Sequence, residues 1–415
     1  MPPTDLLSSR VPAAGDAPTD DASALSVLVP EPYVHIGDEA IYNPLTDRTL
    51  PASDPDDAVL RAVLAGAQPI DALDAAVRAR FVADGWLVDR RGNLDARYLL
   101  KYVSLEAHTV CNQACYFCPV SINPRQNHFM PTEQYRSILA QLAPYRETIE
   151  GVVMISYNEP TIDPRFVEQV AMIKSYGLEP AVLSNGSGLT PEKTDALLEL
   201  GGLKFLSINI STVDRARYRR DRGKDHLPQV LRNLDYVKDK PMAPTMDMVV
   251  LGTGDAQHKE DYAAICERYG DSQFEVKYFE VMDRAGYLDV GRKIDHRGKQ
   301  LAGCELIGSR PLQHLHITPH GKCVLCCQDY DEYHIIGDLA TQTVDEVLTS
   351  PAMQLLRRWT YGLEEAPDDF ICRSCEFALV REPDETVVDR AAEPGSARVV
   401  AGVPADVHTP TVGNT

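Results

Sequence analysis

Between about residues 100 and 290 the chain alternates two hydrophobic patterns. Short, mostly apolar runs at 102–107, 152–156, 180–183, 205–210, 245–251 and 274–279 read as buried strands. Between them lie stretches such as 133–142 and 166–176, whose apolar positions recur at helical spacing. Strand–helix repeats in this order predict an α/β domain with a parallel sheet and right-handed crossovers. Upstream, 28–95 predicts a small α+β domain. It has short strands at 33–36, 40–43 and 48–51, a helix carrying Val59, Leu60 and Val63, and a second helical stretch over 70–81 leading into Gly85-Trp86-Leu87-Val88. The segments 1–27 and 381–415 hold Pro, Ala, Ser and Asp with few large apolar groups, and predict disordered tails.

Composition narrows the class. The 415 residues are 44% hydrophobic, enough for two or three domains with cores. No apolar run of about eighteen residues predicts a membrane span, and Met1-Pro2-Pro3-Thr4-Asp5 does not open like a secretory signal. A net charge of −20 argues against a nucleic-acid partner, which needs a basic footprint; the patch Arg215 to Arg222 is a local exception. Ten cysteines without a signal segment point to a reducing, cytoplasmic setting and to metal or redox work rather than disulfides.

The cysteines are grouped. Cys111-Asn112-Gln113-Ala114-Cys115-Tyr116-Phe117-Cys118 places three thiols in a CxxxCxxC run with no fourth nearby. Three thiolates hold three irons of a [4Fe–4S] cube and leave one iron open, whereas zinc sites favour CxxC pairs that close a tetrahedron. This run resembles the radical S-adenosylmethionine (SAM) superfamily, whose open iron chelates SAM. The resemblance implies a partial (β/α)6 TIM-like barrel over 100–290, with chemistry at the C-terminal ends of its strands. It also implies roles for residues at those ends. Phe117 would touch the adenine through its backbone. Glu159, in Ser156-Tyr157-Asn158-Glu159-Pro160, would accept from the SAM ammonium, although both glycines usual before that Glu-Pro are replaced. Ser184 or Asn185, in Ser184-Asn185-Gly186, would lie near SAM. Alternation turns Ser207, Asn209 and Ser211 to one face, where they would serve the SAM ribose and the substrate. Arg222, before Gly223, would bind the SAM carboxylate, and Gly252 would admit backbone close to the adenine.

A second set, Cys304, Cys323, Cys326, Cys327 and the Cys372-Arg373-Ser374-Cys375 pair, resembles a SPASM or twitch appendage over 300–380. The resemblance implies an auxiliary [4Fe–4S] cluster on Cys304, Cys326, Cys372 and Cys375, with Cys327 as the substitute for Cys326; a four-cysteine zinc site is the rival. Cys323 and Cys327 are then candidate hydrogen-atom donors, which would make the outcome an epimerisation. Oxidation through the auxiliary cluster is marginally preferred at this point. The 28–95 unit loosely resembles a winged-helix or PqqD-like peptide-recognition unit, and a scaffold capping the barrel is an equal reading. Expected substrates are a sugar or aminocyclitol carbinol or, alternatively, a ribosomal peptide. A flavodoxin or ferredoxin would supply electrons. A non-enzymatic iron–sulfur or zinc interaction protein is the remaining class.

Overall fold

The computed structural model describes residues 27–381, so the two terminal segments, but for Val27 and Arg381, lie outside it. The N-terminal unit begins with β1 (Leu28–Pro30), β2 (His35–Ile36), β3 (Ala40–Asn43) and β4 (Arg48–Pro51), and closes with β5 (Leu87–Asp89). β2, β3 and β4 form an antiparallel sheet, and β5 returns to pair with β1. The strand expected at 33–36 begins only at His35: Tyr33 instead turns inward, donates through its hydroxyl to Asp95 at 2.6 Å and sets its ring edge against Tyr361. The helical stretch expected over 70–81 is two elements, a 3-10 turn at Ile70–Ala72 and a helix at Ala75–Ala83. Asp74 separates them. Its carboxylate accepts from the Ala76 and Val77 amides at 2.8 and 3.3 Å, an N-cap that starts a new helix rather than continuing the old one.

The core domain follows the alternation read from the chain. Strands β6 (Tyr102–Leu105), β7 (Gly151–Val153), β8 (Pro180–Ser184), β9 (Phe205–Ile210), β10 (Thr245–Gly252) and β11 (Glu275–Glu280) run parallel, in that spatial order. The intervening helices bury one stripe each; in Leu227–Val237 the buried apolar residues are Leu227, Val230, Leu234 and Val237, spaced by three or four.

The C-terminal appendage does not stand apart. It contributes β12 (Gln300–Cys304), β13 (His314–Ile317), β14 (Lys322–Val324), β15 (Ile335–Asp338) and β16 (Ala378–Arg381). β13 pairs in parallel with β6, and β14 and β15 follow antiparallel, so one nine-stranded sheet runs through both domains. The N-terminal unit is fastened to this body by Lys101 Nζ–Asp47 at 2.7 Å, Gln313 Nε2–Pro44 O at 2.7 Å and His35 Nε2–Tyr361 Oη at 2.9 Å. Among the described residues, no helix is long and apolar enough to cross a membrane.

Candidate active site

Cys111, Cys115 and Cys118 occupy the loop leaving β6 and line a cavity of about 570 Å³ at the strand ends. The loop is braced by the helix Arg215–Arg222: the Ala114 amide donates to Arg222 O at 3.0 Å and the Tyr116 amide to Asp221 O at 3.1 Å. Gly223 makes that approach feasible. Its φ is +65°, and a Cβ there would lie 2.8 Å from the Ala114 carbonyl oxygen. Burial pushes all three thiols upward, Cys118 to about 11. Three neighbouring sulfurs that resist ionisation alone, on one wall of a cavity, are suited to shared coordination by a cationic group with an open side.

The ends of β7 and β8 converge on Glu159, which is 2% exposed and lines the same cavity. Its Oε1 accepts from the Thr161 amide at 3.1 Å, Thr161 Oγ1 at 2.5 Å and Ser184 Oγ at 2.7 Å; Oε2 accepts from the Asn185 amide at 2.6 Å. Burial nevertheless raises its pKa above the usual carboxylate value. Asn185 Nδ2 reaches Asn112 Oδ1 at 2.9 Å, tying this turn to the cysteine loop. The residues that replace the expected glycines have work of their own. Tyr157 donates its hydroxyl to the carbonyl of Cys327, and its amide donates to Glu106 at 2.8 Å.

On the far side, Ser207 and Asn209 of β9 line the cavity with Phe117 and Arg222. Arg222, 2% exposed, donates to Asn209 Oδ1 at 2.6 Å and Ser211 Oγ at 3.1 Å, lies 3.8 Å from Cys115 Sγ, and stands over the Phe117 ring at 4.9 Å. Ser211 and Gly252 line a neighbouring cavity of about 350 Å³ instead. Gly252 is set by packing as well, since a Cβ there would meet the His258 ring at 2.4 Å.

In the appendage, Cys304, Cys326, Cys372 and Cys375 are all buried and each is pushed up by burial, with sulfurs of this group adding to the shift of Cys326, Cys372 and Cys375. Donors are already aimed at these sulfurs. The Gln328 amide lies 3.4 Å from Cys326 Sγ, the amides of Leu306 and Arg310 serve Cys304, and that of Phe377 serves Cys375. Among the described residues, no three Cys, His, Asp or Glu side chains are disposed to hold a single metal ion. Buried thiols that already face N–H donors fit the auxiliary iron–sulfur group that the resemblance implies.

The two remaining thiols of the appendage separate sharply. Cys327 lines the 570 Å³ cavity with Cys111, Cys115 and Cys118, while the adjacent Cys326 does not. Cys323 corrects an expectation: it is 0% exposed and absent from the cavity wall. On β14 it pairs with Ile317 and Gly337, and strand alternation turns it into the apolar core while Lys322 faces out.

A radical SAM superfamily model matches residues 105–265, and the model of an iron–sulfur cluster-binding domain, SPASM, matches 304–376. The chain belongs to the radical SAM superfamily. Such a radical SAM enzyme binds SAM on a [4Fe–4S] cluster, and its SPASM domain holds auxiliary iron–sulfur. The GTP 3′,8-cyclase of Chlorobaculum tepidum is 26% identical over 158 residues, 37% of this chain and 44% of that protein. The S-adenosyl-L-methionine-dependent 2-deoxy-scyllo-inosamine dehydrogenase of Niallia circulans is 28% identical over 114 residues, 26% of this chain and 44% of that protein. The chain thus matches less than half the length of each of these curated relatives. Streptococcus suis SuiB, in a structure bound to its precursor peptide SuiA, superposes with a TM-score of 0.50 and 10% identity over 80% of this chain and 90% of that one, a likeness of fold.

Several residues of the radical SAM cavity carried no sequence signal that stood out. Arg284, Arg292, Arg310, His314 and Glu376 all line it. His314 and His316 were readable in part, because the pattern His-Leu-His puts both on one face of a strand. Arg284 and Arg310 lie in irregular or four-residue elements, where no periodicity exists to read.

Proposed function

We propose that this radical SAM enzyme removes a hydrogen atom from a carbinol carbon of a small substrate held in the 570 Å³ cavity, and that Cys327 returns one to the opposite face, inverting the centre. The observation that carries this reading is the position of Cys327 on the cavity wall, which the adjacent Cys326 does not share. When bound on Cys111, Cys115 and Cys118, the cluster supplies the electron that cleaves SAM to the radical that abstracts hydrogen. The protein's own groups do the rest. In this reading Glu159 and Arg222 hold the ammonium and carboxylate of SAM, Ser184, Asn185, Ser207 and Asn209 hold its position, and the buried wall keeps water from the radical, which their shared place on the cavity wall supports. Tyr157 fixes the Cys327 backbone from the strand end beside Glu159. The Cys327 S–H gives one hydrogen atom to the substrate carbon; the thiyl left behind takes one electron from a flavodoxin- or ferredoxin-type donor and one proton from solvent.

A small substrate is supported by a cavity that must admit SAM too, and by the fastening of the 28–95 unit to the body, which suits a scaffold more than a peptide clamp. Oxidation is the second reading, favoured by the relative that dehydrogenates 2-deoxy-scyllo-inosamine. Reaction in D2O decides between them. Inversion places one solvent deuterium at the reacting carbon, and Cys327→Ala keeps formation of 5′-deoxyadenosine while blocking the product. A product two electrons more oxidised, free of solvent deuterium, would refute the assignment to Cys327.

A further inference from the structure

We propose that Arg310, together with His314 and Ser104, forms an oxyanion-binding subsite in the cavity wall made by β6 and β13, so that the substrate carries a phosphate or carboxylate group. The inference rests on the cavity being the substrate site. Arg310 is 6% exposed and lines that cavity. A guanidinium keeps its charge under all ordinary conditions, and a buried charge requires compensation. Here no salt bridge provides it. Among the described residues no carboxylate lies within ion-pair distance of Arg310; its Nη1 faces the rings of His314 and His316, and its Nε is buried without a partner. Those rings add no negative charge, since burial and the guanidinium itself keep both imidazoles neutral.

Comparison with other buried arginines sharpens the point. Arg373 has Glu365 at 2.5 Å, and Arg357 donates to the carbonyls of Pro311 and Asp95 at 2.9 and 2.8 Å. Arg310 has neutral rings in place of these oxygens, although each of the three guanidiniums keeps one buried nitrogen without a partner. His314 is oriented by Ser104 Oγ at 3.0 Å from its Nε2, so the wall presents a fixed cation flanked by ordered polar groups. Arg284 and Arg292 line the same cavity and add positive potential, with Glu376 as the nearby acid. A free aminocyclitol, itself a cation, would meet like charge here; a phosphorylated or carboxylated sugar would supply the missing anion. The rival partner is the auxiliary group, because Arg310 also lies near Cys304.

The test uses the full, anaerobically reconstituted protein saturated with SAM, titrated calorimetrically with inorganic phosphate, with acetate and with neutral myo-inositol at constant ionic strength. Saturable binding of phosphate or acetate is expected, and the stronger of the two names the group. Arg310→Gln should weaken it at least about tenfold, some 1.4 kcal/mol, with iron content unchanged, and Arg310→Lys should recover part of it. No saturable anion binding by the wild type, equal affinity in Arg310→Gln, or loss of about half the iron in that variant would each overturn the proposal, the last by assigning Arg310 to the auxiliary group. Cleavage of SAM by the wild type, measured in parallel, tests the underlying reading separately.

Discussion

Glu159→Gln separates a ligand-binding carboxylate from one that only knits strand ends together. Oε1 is fully engaged by three donors, but Oε2 accepts only the Asn185 amide and keeps a second acceptor site toward the cavity. A SAM ammonium there makes a charge-assisted bond of about 1.5–3 kcal/mol. Losing it corresponds to about a 10- to 150-fold weaker Kd. The amide must also fit four donors. Its NH2 does least harm at the Oε2 position, where it faces one N–H, at a cost of about 1–3 kcal/mol in stability. The assay is an equilibrium SAM titration of reconstituted protein, with iron content and a melting curve as controls. Acid adds an independent arm. The raised folded-state pKa means the SAM-free protein gains stability as pH falls from that value toward 4.5, because the native state holds the proton more tightly. SAM binding needs the charged form and weakens over the same interval in the wild type, while the Gln variant stays flat. A Kd within about twofold of wild type, with iron intact, would show that Glu159 serves the fold alone.

Two further outcomes follow from the geometry. Replacing Cys111, Cys115 and Cys118 together by Ala should lower iron from about eight to about four per chain and abolish SAM cleavage; replacing Cys326 should likewise remove about four and spare the first set, whereas Cys327→Ala should retain all of it. Iron loss in Cys327→Ala equal to that in Cys326→Ala would exchange their roles. Gly252→Ala, which drives a methyl onto the His258 ring at 2.4 Å, should lower stability by about 1–3 kcal/mol, read from a denaturant midpoint; an unchanged midpoint would mean that ring moves freely.

The core was legible because its signals are local and repeated. Buried strands and amphipathic helices alternate, and the residues of the SAM site sit at strand ends where a parallel sheet gathers them. Phe205–Ile210 matches the expected 205–210 for this reason. What escaped was non-local. Nothing near His314 announces that its strand joins Tyr102–Leu105, and Arg310 reads as an ordinary basic residue until its burial is known. The stretch 70–81 failed for a different reason: its apolar spacing continues through Asp74, and only the cap chemistry shows that two elements meet there.

The parallel pairing of β13 with β6 also bears on how the chain emerges from the ribosome. Tyr102 is synthesised more than two hundred residues before its partner His314. Until then the outer edge of β6 has unpaired amides and carbonyls beside a hydrophobic half-barrel, a template for unwanted strand addition. Closure of that edge waits for the metal-bearing appendage, so the nascent core passes through an aggregation-exposed interval that chaperones would have to cover. Attempts to express residues 100–290 alone would make that interval permanent.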